Sequence, residues 1–143
     1  MKKDIFEATY EKVQEAKRVY HETGNKEEGK KLYAEATEWL KEIDNIEYSL
    51  WEAYEEAREL GNEHIDIKDN IRDENVATWV KAMRECGIKG FTFSSGWSSA
   101  VETAWLFQKE GCTLEGLVEL NSHHKVFMSD EYEKVHGYLF KVN

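Results

Sequence analysis

Four serines, a glycine and a tryptophan crowd one bend of this chain: Ser94, Ser95, Gly96, Trp97, Ser98 and Ser99. Hydroxyls, free backbone N–H groups and a glycine that tolerates positive φ are what an anion-binding turn needs. The residues before the bend alternate, Phe91 and Phe93 against Thr92 and Ser94, which is the period of a strand. The residues after it predict a helix. Ser99 and Glu102 have the spacing of a capping box, in which hydroxyl and carboxylate each satisfy a backbone donor of the first turn. Strand, tight turn and helix N-terminus, in that order, form the place where open α/β sheets hold ligands. Two readings stay open. The serines bind a small molecule or a phosphate, or they only cap the helix and close the turn, for which serine is favoured on local grounds. No lysine follows as it does in a Walker loop, and no Gly-x-Ser-x-Gly elbow is present. Trp97 either plugs the sheet edge or stacks on a ligand or partner.

Other groups capable of chemistry are fewer. Cys86 and Cys112 stand at matching helix-to-strand corners, where a redox pair is conceivable. Neither lies in Cys-x-x-Cys, and buried cysteine mostly acts as a small apolar residue. His123, His124, Asp130, Glu131 and His136 are metal-type ligands, but their spacing fits no zinc template and adjacent histidines are expected to point different ways. Ser129 to Tyr132 reads as the start of a short helix with acids near its positive end. No nucleophile has an identifiable base. The sequence therefore assigns no catalytic residue, no cofactor and no metal.

Charge supplies the other candidate surface. The chain of 143 residues carries a formal charge of −10, and no basic stripe exists to follow a phosphate backbone, so direct nucleic-acid binding is not expected. Lys3, Glu7, Glu11 and Glu15 recur every four residues along one predicted helix, and Glu52 with Glu56 and Glu55 with Glu59 repeat the habit on another. Such rows are either solvated faces or a surface for a basic protein partner. Two cysteines make no secreted disulfide framework, and no apolar run reaches signal-peptide or membrane-span form. A cytoplasmic location is the expectation.

Elements must position these groups. Apolar residues at helical spacing predict helices over 4–22, about 26–43 and about 45–60, with Gly24 and Gly61 as stops. The absence of proline lets them run unbroken, and the second and third could be one bent helix. Short strands follow at 64–67, 88–94, 114–120 and 136–142. Between them lie a helix capped by Asp73 and ended by Gly87, and one from Ser99 to Gly111 whose apolar face is Val101, Ala104 and Trp105, widened by Leu106 and Phe107. Arg84 to Ser95 echoes Lys109 to Leu120. The path predicted is β-α-β-α-β with parallel strands, and the last strand could join antiparallel at an edge. The fold class expected is α+β: one domain, 1–143, with a helical front at 1–62 packed on a small mixed sheet of about four strands at 63–143.

The segment from Asp73 to Asn121 resembles a family of small uncharacterised proteins carried by plasmids, phages and other mobile elements of Gram-positive gut bacteria. The likeness rests on Val80 to Ile88, Phe91 to Ser95, Ser98 to Trp105 and Phe107 to Gly116, and extends to Ala16–Tyr20 and Leu32–Glu35. It transfers no activity and no catalytic residue. The setting implies element maintenance or conflict with the host. With the acidic surface it favours a non-enzymatic interaction or regulatory protein, with counter-defence as one role, such as blocking the basic groove of a nucleic-acid-handling system. The alternative is a small-molecule or phosphate-binding domain using the turn Ser94–Ser99.

Overall fold

In the computed structural model, which describes residues 2–143 and side chains from Asp4 onward, the helical front forms as the periodicity requires. Helix α1 spans Lys2–Glu22, α2 Lys26–Thr37 and α3 Asn45–Leu60. The second and third are separate. A 3-10 turn, Glu38–Lys41, ends the second, and Asp44 caps the third by accepting from the Glu47 N–H at 2.8 Å. Gly61, at φ +73°, lets the Asn62 N–H reach back to the Ala57 carbonyl and stop α3. Gly29 is needed for a different reason. A Cβ there would stand 2.6 Å from Tyr20 Cβ and under 3.0 Å from its backbone, so α1 and α2 cross too closely for any side chain.

The rest is four strands and two helices: β1 (Ile65–Asp66), α4 (Val76–Glu85), β2 (Gly90–Phe93), α5 (Ala100–Lys109), β3 (Thr113–Lys125) and β4 (Tyr132–Lys141). The sheet order is β1-β2-β4-β3. Only β1 and β2 run parallel; β4 pairs antiparallel with both β2 and β3. The expected β-α-β-α-β order with β4 at an edge is thus corrected. β3 and β4 form one long hairpin, β4 is interior and β3 is the edge. The cause is the short link Val126–Glu131, too short for a crossover and closed by a turn in which the Ser129 N–H donates to the Val126 carbonyl. Ser129–Tyr132 is accordingly turn and strand, not helix.

Strand alternation sends Phe91 and Phe93 to one face, where Phe107 of α5 meets both, with ring centroids 4.9 and 5.5 Å away, and Phe140 at 5.2 Å. Thr92 and its partner Asp66 take the opposite face, beneath α3. The buried core runs from Phe6 through Leu50, Trp51, Val80, Met83 and Phe91 to Phe140 and Val142, joining front and sheet. Phe6 packs among Trp39, Trp51 and Tyr54, with centroids 5.7–5.9 Å apart. Among the described residues no helix is long and apolar enough to cross a membrane.

Candidate functional site

Asp66 ends β1 and Ser94 directly follows β2, so both stand at the C-terminal end of the one parallel pair. The Ser94 hydroxyl donates to Asp66 Oδ2 at 2.6 Å, the Thr92 hydroxyl to Oδ1 at 3.0 Å, and the Lys68 N–H approaches the same oxygen at 3.5 Å. Gly137 of β4 makes room for this. A Cβ there would sit 3.4 Å from Ser94 Cβ and 3.2 Å from Leu120 Cδ2. Burial pushes the Asp66 carboxyl above its ordinary value, and the two hydroxyls pull it partly back. Lys68 adopts φ +50°, a left-handed conformation uncommon outside glycine, and its ammonium lies 2.7 Å from both oxygens of Glu56 on α3. His123 Nδ1 stands 3.8 Å from Glu56.

Asp66, Ser94, Lys68, Glu56 and His123 border a cavity of about 200 Å³ whose apolar lining includes Ala57, Leu60 and Val135. Its rim is fixed by an amide clamp. Asn62 Nδ2 donates to the Asn121 carbonyl at 2.9 Å, the Asn121 N–H returns to Asn62 Oδ1 at 2.9 Å, and Asn121 Nδ2 caps the Leu60 carbonyl at 2.7 Å. The end of α3 is thereby tied to β3. A second recess of about 310 Å³ lies across the Lys68–Glu56 pair, bordered by Ser49, Glu52 and Asn70.

The predicted turn splits. Ser94 lines the Asp66 cavity, while Ser95, Trp97 and Ser99 line another recess, of about 410 Å³, with Asp69, Asp73 and Glu74. Gly96 and Ser98 are exposed. The capping box does not form. Ser99 is itself helical, at φ −73° and ψ −5°, and its hydroxyl makes no cap; the Glu102 N–H donates to the Ser99 carbonyl instead. Nor does Asp73 cap α4. It opens the 3-10 turn Asp73–Asn75, and its carboxylate accepts from the Thr103 hydroxyl of α5 at 2.5 Å. Three carboxylates against Arg72 work against a phosphate at this recess.

Helix α5 is turned over relative to expectation. Thr103 and Phe107 are buried, whereas Trp97, Val101 and Trp105 are 69%, 72% and 62% exposed, at four-residue spacing. Leu114, Leu117 and Tyr138 are also exposed and pair across the sheet with Phe140, Tyr138 and Phe93, so they project from the face that α5 packs on.

Glu7, Glu11 and Glu15 are exposed on α1, and the side chain of Lys3 lies outside the described residues. Glu15 is engaged by Arg18 through bonds of 2.9 and 2.5 Å, which hold its carboxyl below the usual range. Cys86 and Cys112 are buried and form no disulfide, and burial pushes the Cys112 thiol up, away from a reactive thiolate. His123 and His124 do not point apart: their ring centroids are 4.1 Å from each other. Among the described residues no three His, Cys, Asp or Glu side chains converge to hold a metal ion.

Residues 49–142 match a family model described as a domain of unknown function, DUF7698. The chain belongs to that family. The matched DUF7698 segment takes in the Asp66 cavity and all of α5, and leaves α1 and α2 outside. No curated protein and no solved structure matches the chain.

Sequence reasoning found Ser94 but not Asp66, Lys68, His123 or the asparagine clamp as its company. The available signal was an acid inside the alternating run His64–Ile67, where strand propensity disfavours aspartate.

Proposed function

We propose that this DUF7698 protein is a non-enzymatic interaction protein that docks on another protein through the outward row Trp97, Val101 and Trp105. The observation that carries the reading is the orientation of α5. It buries a threonine and one phenylalanine while leaving Val101 and Trp105 in solvent, and Trp97 of the preceding turn is exposed as well. Exposed tryptophan is among the side chains enriched at interaction hot spots. The net charge of −10 favours a basic partner and steers its approach. The likeness to proteins of mobile elements in Gram-positive gut bacteria supports a cytoplasmic role in element maintenance or counter-defence, including obstruction of a basic groove in a nucleic-acid-handling defence protein.

The test is capture from host lysate at low salt with the tagged protein, with Val101→Glu/Trp105→Glu, and with Glu7→Gln/Glu11→Gln/Glu15→Gln. Partners retained by the wild type and by the glutamine variant, but lost with the α5 variant, are the expected result. Identical capture by wild type and α5 variant sinks the reading, and loss confined to the glutamine variant moves the interface to α1.

A further inference from the structure

Asp66 has hydrogen-bond donors but no direct ion pair, and the Lys68 charge acts on it only from a distance. Its carboxylate is half-buried and accepts from Ser94 and Thr92, both neutral. The ammonium of Lys68, on the same rim, is taken by Glu56 at 2.7 Å to each oxygen. No ion pair to Asp66 forms among the described residues. Carboxylates withdrawn from water are ordinarily paired, because hydrogen bonds alone do not repay the lost hydration. Asp66 is instead left facing an open cavity of about 200 Å³.

The cavity's shape narrows what would fill it. Its volume is below the ~300–1,000 Å³ of sites for drug-sized ligands. Its walls combine the methyl-rich surface of Ala53, Ala57, Leu60 and Val135 with Asp66, Asp69 and Glu56 at the polar end. Against these three carboxylates stand Lys68 and His123, so the field is negative and an anion is disfavoured. A bare metal ion is not suited either, since no three ligating side chains converge. What fits is a charged head on a short apolar stem.

We infer that this cavity receives an ammonium or guanidinium group, carried by a small organic cation or by a basic side chain of a protein, with Asp66 as its counter-ion. The cation replaces solvent beside Asp66, and its stem lies along Ala57, Leu60 and Val135. The site is on the sheet face opposite α5, so it does not rest on the proposed α5 interface, and the two can fail separately.

Amide NMR titrations of the full chain test this, using methylguanidinium, butylammonium, inorganic phosphate, and the capped peptides Gly-Arg-Gly and Gly-Gln-Gly at constant ionic strength. Saturable shifts at Asp66, Lys68, Ser94 and Asn121 with the cations, absent with phosphate and the glutamine peptide, are expected. Saturation by the free cations alone identifies a small ligand, and tighter saturation by the arginine peptide identifies a protein side chain; either result supports the site. Asp66→Asn should weaken binding about tenfold to a hundredfold, the worth of a hydrogen bond to a charged group. Lys68→Asn keeps a residue suited to the left-handed backbone and removes a competing positive charge. It should tighten binding about two- to fivefold, which preserves the test if Asp66→Asn does not fold. No saturable shift with any cation, equal affinity in Asp66→Asn, or weaker binding in Lys68→Asn overturns the inference.

Discussion

The Asp66 carboxyl is held above its unfolded value of 3.8, chiefly by burial. The folded chain therefore binds that proton more tightly than the unfolded chain. Asp66 adds stability below pH 3.8, and this is lost as pH rises through the folded value, so the ionised group is a net cost at neutrality. Glu55, raised by burial and by Glu59, contributes with the same sign. Asp66→Asn should flatten the acid side of the stability profile and be neutral or stabilising at pH 7; urea titrations across the pH series measure this, and a large loss at neutrality would refute it. Ser94→Ala acts oppositely, removing the 2.6 Å bond to the ionised carboxylate at a cost of about 1–3 kcal/mol, with the Asp66 carboxyl rising further. Ser94 was legible as a site residue because local turn chemistry marks it. Asp66 was not, because its hydroxyl partners Thr92 and Ser94 lie 26 and 28 residues further along the chain and its cover comes from the packing of α3 on the sheet.

At the scale of elements, the periodic helices α1 and α3 could be read closely, and their stops followed from Gly24 and Gly61. Helix α5 could not be oriented. Val101, Ala104, Trp105, Leu106 and Phe107 surround most of its circumference, and the buried Thr103 is held by a tertiary bond to Asp73. The hairpin was underread for a related reason: Asn121 to Lys125 is polar on both faces and has no period to reveal a strand. Two substitutions check the observed orientation. Phe107→Ala, beneath the rings of Phe91, Phe93 and Phe140, should cost about 3–5 kcal/mol, whereas Trp105→Ala should change stability by no more than about 0.5 kcal/mol. Chemical denaturation distinguishes them, and the reverse ranking would restore the orientation that hydrophobicity alone suggests. At the α1–α2 crossing, Gly29→Ala should cost about 1–3 kcal/mol by the same measurement, because its new methyl meets the Tyr20 backbone rather than a movable side-chain end.

The whole molecule poses the question of why a family segment beginning at Ser49 is preceded here by two helices. Packing gives an answer. Phe6 of α1 packs against Trp51 and Tyr54 of α3 and Trp39 packs against Trp51, with the Trp39 indole donating to the Thr9 hydroxyl at 2.7 Å. Arg58 lies 4.6 Å over the Tyr10 ring and donates to Tyr54, closing the seam on its charged side. A fragment of residues 44–143 keeps the Asp44 cap and every group of the Asp66 cavity, but uncovers Trp51. Phe6→Ala alone should cost about 3–5 kcal/mol, so the fragment should unfold at markedly lower urea than the full chain and associate as its concentration rises. Sedimentation and urea titration of the two chains settle the matter. Equal stability and a monomeric fragment would show that α1 and α2 are an appendage. A destabilised fragment that still binds cations at Asp66 would separate the cover, which keeps α3 in place, from the site that α3 helps to build.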